Sequence, residues 1–139
     1  MAAEPLFIDS GGFYVLISSQ SESHETSIAV MEDAAKYRRR AITTDYIIDE
    51  TATLLRARGL SKLLTEFFRL TEESKALAVE WTTPDRFASA RKSMLKHLDQ
   101  EFSFTDCVSF IVMKEFRLTD ALATDDHFRI AGFNPLLAK

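Results

Sequence analysis

A helix that is apolar almost all round has to be covered on every side, and residues 107–116 of this chain spell one out. Cys107, Val108, Phe110, Ile111, Val112, Met113 and Phe116 leave no polar stripe wide enough to face water, so the helix belongs between layers. What covers it is legible in the short apolar runs elsewhere. Leu6-Phe7-Ile8, Ala41-Ile42-Thr43, Ala76 to Trp81 and Ala121-Leu122-Ala123 read as strands, with a turn over 125–130 and then Phe133-Asn134-Pro135-Leu136. Continuous apolar strands separated by helical patterns argue for a parallel sheet covered on both faces, in one α/β domain. A chain of 139 residues with 46% hydrophobic content suits one such domain.

The helices announce their starts. Thr44 precedes Asp45 and a stripe of Ile47, Ile48, Thr51, Ala52, Leu54 and Leu55. Thr83-Pro84-Asp85 combines a cap, a proline at the first helical position and an acid. Ser103 and Asp106 fit a capping box. Further helices are predicted over residues 24–37 and 61–71. The single Cys107 excludes an intrachain disulfide framework. No apolar run approaches the ~20 residues of a membrane helix, and the first ten residues lack the basic start and apolar stretch of a signal peptide. The expectation is a cytoplasmic protein with no membrane partner. A net charge of −4 announces no global basic field, although a cluster of acids lowers net charge without excluding a local basic patch.

Two acids stand where a parallel sheet collects chemistry, the carboxyl ends of its strands, and two more stand on helices that can reach that edge. Asp9 directly follows the first strand, though Asp before Ser-Gly-Gly is also good turn chemistry. Asp125 follows the fourth strand by one Thr and fits a turn or a cap equally well. Glu50 lies at the margin of the buried stripe of its helix, whereas Asp49 points to the solvated side. Asp106 opens the buried helix, where the helix dipole favours a carboxylate whatever its task.

Together these acids resemble something specific. The order is an apolar strand then Asp9-Ser10; T-T-x(5)-E from Thr43-Thr44 to Glu50; S-F-T-D-C from Ser103 to Cys107; and A-x-T-D-x-H-F-x-x-x-G-F from Ala121 to Phe133. This resembles the PIN-domain ribonucleases, in particular the VapC-type toxins of bacterial toxin–antitoxin pairs, over essentially the whole chain. The resemblance implies a three-layer α/β/α fold, with a central mostly parallel sheet of four to five short strands, as a single PIN domain over residues 1–139. It carries the family's four acidic metal positions onto Asp9, Glu50, Asp106 and Asp125, with Asp126 the variable neighbour. One departure is Gly11-Gly12, where many relatives continue with Asn or Ser and aliphatics.

The implied activity is Mg²⁺- or Mn²⁺-dependent hydrolysis of RNA phosphodiester bonds by an endoribonuclease, held in check by a cognate antitoxin that inserts a segment near the acids. A homodimer is also implied, and the 61–71 helix with Leu63, Leu64, Phe67 and Phe68 is a candidate contact surface. Hard oxygen donors suit those cations and not zinc. Four crowded carboxylates favour protonation unless a cation relieves them. Ser10, Thr105 and Thr124 flank the acids and could orient them, although backbone capping explains them too. His127 offers itself as a general acid, but beside Phe128 it reads mainly as a structural residue of a packed turn. Arg38-Arg39-Arg40, Arg56, Arg58, and the Arg86, Arg91, Lys92 and Lys96 helix are candidate phosphate contacts, each equally a solvated helix end or face. Two other readings share the resemblance: an RNA-processing nuclease without an antitoxin, and a PIN-like binding module without chemistry. No phosphate-binding G-x(4)-G-K-[ST] loop and no nucleophile elbow is present.

Overall fold

Three helix starts are set by one device. The side chains of Thr44, Thr83 and Ser103 accept hydrogen bonds from the backbone N–H of Ile47, Arg86 and Asp106, and each residue is the N-cap of a helix that begins at the next position. The computed structural model describes residues 3–139. Its elements in order are β1 (Leu6–Ile8), α1 (Ser10–Ile17), α2 (His24–Lys36), β2 (Ala41–Thr44), α3 (Asp45–Ala57), α4 (Leu64–Glu73), β3 (Leu77–Glu80), α5 (Pro84–Lys96), α6 (Phe104–Glu115), β4 (Asp120–Leu122), α7 (His127–Ile130) and β5 (Asn134–Pro135). A 3₁₀ turn at Ser61–Leu63 precedes α4, so the helix expected over residues 61–71 starts later and tighter. Among the described residues no helix is long and apolar enough to cross a membrane.

The five strands form one parallel sheet in the order β3-β2-β1-β4-β5. Alternation along β1 sends its side chains to two layers. On one face Ile8 joins Ala41 and Leu77 beneath α1, α2 and α4, where Phe13 and Phe67 meet edge-on at 5.3 Å. On the other face Phe7 packs against Phe128, which meets Phe110 of α6 at 5.2 Å. This is the three-layer arrangement, and α6 lies inside it as its apolar surface requires: Val108, Val112 and Met113 have no exposure.

Topology decides where a site can sit. The chain steps outward from β1 through β2 to β3, then returns to lay β4 on the free side of β1. The carboxyl ends of β1 and β4 therefore flank the switch point of the sheet, the place where open parallel sheets leave a crevice. Gly11 and Gly12 belong to this junction. A Cβ on Gly12 would lie 2.1 Å from the Leu122 carbonyl oxygen, and one on Gly11 2.5 Å from Thr124 Oγ1. The two glycines let the start of α1 rest directly on the end of β4, which gives the departure from the family pattern a local steric reason.

A candidate metal centre at the carboxyl edge

Asp9 leaves β1 as the N-cap of α1, yet its side chain makes no capping hydrogen bond. Its backbone N–H donates instead to Leu122 O at 3.1 Å, locking the two strand ends together. The carboxyl group is buried, and Oδ1 has no hydrogen-bond partner. Burial is the main reason that Asp9 is pushed from 3.8 up to about 7. The Ser10 backbone N–H opposes this, and the charges of Asp106, Glu50 and Asp125 add to it.

Asp106 is a cap and a site residue at once. Ser103 Oγ accepts from the Asp106 backbone N–H, and Asp106 Oδ2 accepts from the Ser103 backbone N–H, both at 3.0 Å. Oδ2 also meets His127 Nδ1 at 3.0 Å. Asp125 Oδ1 accepts from the His127 backbone N–H at 2.9 Å, and its Oδ2 lies 3.3 Å from the same Nδ1. Asp106, Asp125 and His127 thus present ligand atoms within 4.8 Å of one another. Glu50 is half-buried on α3, and the Ser10 hydroxyl donates to its Oε1. Asp49 is exposed, as the helical geometry predicts, although it shares the rim of the cleft that Glu50 lines.

Asp9, Glu50 and Asp106 each keep an oxygen free, whereas both oxygens of Asp125 meet His127. Ser103 and His127 fix Oδ2 of Asp106, Ser10 fixes Oε1 of Glu50, and the buried Oδ1 of Asp9 is left without a donor. No Lys or Arg forms a salt bridge with any of the four among the described residues; His127 is the one cationic group there. Carboxylate oxygens of this kind suit a hard divalent cation, and the ligand atoms that lie within 4.8 Å of one another are those of Asp106, Asp125 and His127, a group that does not take in Asp9 or Glu50.

His127 is the residue that sequence reasoning undervalued. Its turn is indeed packed, with Phe128 fully buried, but the ring spans two of the four acids. Partial burial works against its charge, yet the Asp106 hydrogen bond and the charges of Asp125, Asp106 and Glu101 prevail, so its pKa is raised. The T-D-x-H spacing was the available signal, since an Asp and a His two residues apart across a tight turn can share a hydrogen-bond partner. Of the three flanking hydroxyls, Ser10 touches an acid side chain. Thr124 packs on Gly11, and Thr105 lines the cleft beside Glu50.

The cationic candidates fall differently. Arg38, Arg39 and Arg40 precede β2 and sit at the amino edge of the sheet, opposite the acids. Arg39 is engaged there by Asp120 and by the Glu4 carbonyl. Arg86 is held between Glu80 and Glu115, and Arg58 lies over the Tyr14 ring. On the proposed contact helix Phe67 is fully buried in the core, so only Phe68 and Leu70 remain as large apolar surface on α4.

No family model matches the chain. Among curated proteins it is 28% identical over 130 residues to the 23S rRNA-specific endonuclease VapC20 of Mycobacterium tuberculosis, covering 92% of this chain and 95% of that protein. It is 30% identical over 115 residues to a VapC ribonuclease of Archaeoglobus fulgidus, covering 80% of this chain and 71% of that protein. Among solved structures it superposes on Mycobacterium tuberculosis VapC20, a sarcin-ricin loop cleaving toxin, with a TM-score of 0.83 at 26% identity over 92% of this chain and 95% of that one.

Proposed function

Because this chain belongs to the VapC ribonucleases, and so is an endoribonuclease toxin with an RNA substrate and an antitoxin partner, we propose that it cuts RNA at the acidic crevice between β1 and β4. In this reading Asp9, Glu50, Asp106 and Asp125 hold the divalent metal. The observation that carries it is the buried, unpartnered Oδ1 of Asp9, a group that also feels the charges of Asp106, Glu50 and Asp125. Oxygen donors of this kind favour Mg²⁺ or Mn²⁺.

When bound, the metal supplies an acidified water and a counter-charge for the phosphate. The chain's own residues do the rest. Ser10 fixes the rotamer of Glu50, leaving Oε2 as the atom that accepts a proton from the attacking water. His127 holds Asp106 and Asp125 in register through one ring nitrogen and one backbone N–H, so that neither carboxylate has to reorganise during turnover. The buried surroundings of Asp9 keep competing water away from that side of the site.

The finer substrate reading follows the Mycobacterium tuberculosis relative: a structured loop of ribosomal RNA. The same reading takes the protein as a cytoplasmic homodimer, with Phe68 and Leu70 as its exposed apolar contribution on α4; sedimentation at high concentration checks the dimer. The central experiment maps cleavage of total RNA by wild type and Asp106→Asn, with and without Mg²⁺. Specific cuts by wild type that vanish in chelator and in the variant are the expected result. Asn keeps an acceptor for the Ser103 N–H, so the helix cap survives the substitution; equal cutting by a contaminant-free variant would remove Asp106 from the site.

A further inference from the structure

Tyr46, Phe104 and Phe87 form a row, with ring centroids 5.7 Å and 5.0 Å apart. The helices that carry the acids also fix this row. Tyr46 precedes Glu50 by four residues on α3 and shares its face. Phe104 opens α6 two residues before Asp106. Phe87, on the first turns of α5 and 41% exposed, carries the row out into solvent. Beneath, Tyr46 and Phe104 rest on a small apolar cluster of Ala90, Cys107 and Val108, which holds the rings in place without covering them. Alongside lies a cleft of about 390 Å³ between α3 and α6, lined by Glu50, Thr53 and Thr105.

We propose that this row is a stacking shelf for unpaired nucleobases flanking the bond that is cut, an inference that rests on the ribonuclease reading above. The acids act on the phosphate, which every nucleotide has, and cannot by themselves hold a flexible strand in register. Aromatic faces placed one helical turn from the acids can, because every base offers a π-face and stacking tolerates sequence. The outer end of the row also meets the charge of the backbone. Arg91 is four residues beyond Phe87 on the same face of α5, exposed and without an ion-pair partner among the described residues. A shelf of this kind selects loops and single strands over duplex, since paired bases are already stacked and point inward.

The test compares wild type and Phe87→Ala on RNA hairpins whose unpaired loop contains the mapped cut. Phe87→Ala is expected to raise KM about ten-fold, within the range for losing one base–aromatic stack, with kcat kept within about two-fold. Phe87→Trp restores KM. A hairpin made abasic at the flanking nucleotide loses its sensitivity to Phe87→Ala. A hairpin with 2-aminopurine at that nucleotide loses fluorescence on binding the cleavage-deficient Asp125→Asn protein, and the loss is abolished when Phe87→Ala is added. Unchanged KM in Phe87→Ala, or equal sensitivity of the abasic RNA, overturns the shelf while leaving the nuclease standing. Unchanged KM with a shift from dimer to monomer assigns the face to a second copy instead. Failure of wild type to cut any RNA in Mg²⁺ or Mn²⁺ sinks the nuclease reading itself.

Discussion

The two edges of the sheet treat charge in opposite ways. At the amino edge Arg39 donates to the Glu4 carbonyl at 2.7 Å and to Asp120 Oδ2 at 3.1 Å. Asn134 donates to Asp120 Oδ1 at 3.0 Å, and the Thr119 N–H donates to the Glu4 carboxylate. Each acid there has a donor of its own. At the carboxyl edge one imidazole bridges two of the four carboxylates, Asp106 and Asp125, no Lys or Arg among the described residues pairs with any of the four, and one buried oxygen of Asp9 has no partner at all. Arg86 pairs Glu80 at the carboxyl end of β3, so it is at the crevice between β1 and β4 that the fold leaves its acids without a Lys or Arg and gives up stability. The imbalance marks the working edge more sharply than the presence of acids does, because acids occur at both.

The comparison breaks if removing charge at the two edges has similar consequences for cleavage. Asp125→Asn is expected to lower kcat/KM by about a thousand-fold, a scale set by groups that act on the transition state. Asn still offers Oδ1 to the His127 N–H, so the turn remains intact. Asp126→Asn, which removes only an exposed pair with Arg129, stays within about three-fold, as does Arg39→Ala at the far edge. A loss in Asp126→Asn equal to that in Asp125→Asn would move the site by one residue.

Stability of the metal-free protein sharpens the same contrast. Asp9 in the folded chain gives up its proton near 7, whereas in the unfolded chain it does so near 3.8. Between those values the folded state binds more protons, so stability falls as pH rises from about 4 to 7, by a few kcal/mol at most. Chemical denaturation in chelator across that range reads the slope directly. Asp9→Asn flattens it, and saturating Mg²⁺ in wild type opposes it by favouring the ionised form. A slope that persists unchanged in Asp9→Asn would trace it to another group.

What could be read from sequence and what could not divides along a physical line. Caps, strands and the buried α6 were legible because each rests on local chemistry: Thr44, Thr83 and Ser103 accept the bonds that their residue types promise. Glu50 was separable from Asp49 because helical phase is local too. Misjudged features depended on the sheet order. The arginine triplet read equally as a solvated helix end or a phosphate contact until β2 placed it at the amino edge, opposite the acids. Phe67 and Phe68 looked alike until α4 turned one ring into the core against Phe13 and left the other in water. His127 is intermediate: its packed turn was visible, but its second acid, Asp106, lies 21 residues away and only the fold brings the two together.

The smallest effect concerns how the amino edge acquires its positive charge. Helices α2, α3 and α6 end in the same motif, with paired bonds from the two residues after the cap back to the last turn. After α3 the left-handed position is Gly59 at φ +72; after α2 and α6 it is Arg38 and Arg117, at φ +56 and +55. An L-residue with a Cβ costs roughly 1 kcal/mol there, and both arginines sit at the loop leading into a strand, hence at the amino edge. Arg38→Gly relieves that strain, offset in part by the greater freedom of glycine in the unfolded chain. Its melting midpoint is therefore expected to rise by a few degrees at most, with RNA cleavage unchanged within about two-fold because the acids lie across the sheet. A fall in cleavage as large as that predicted for Phe87→Ala would mean that RNA reaches both edges, and the division of labour between them would have to be abandoned.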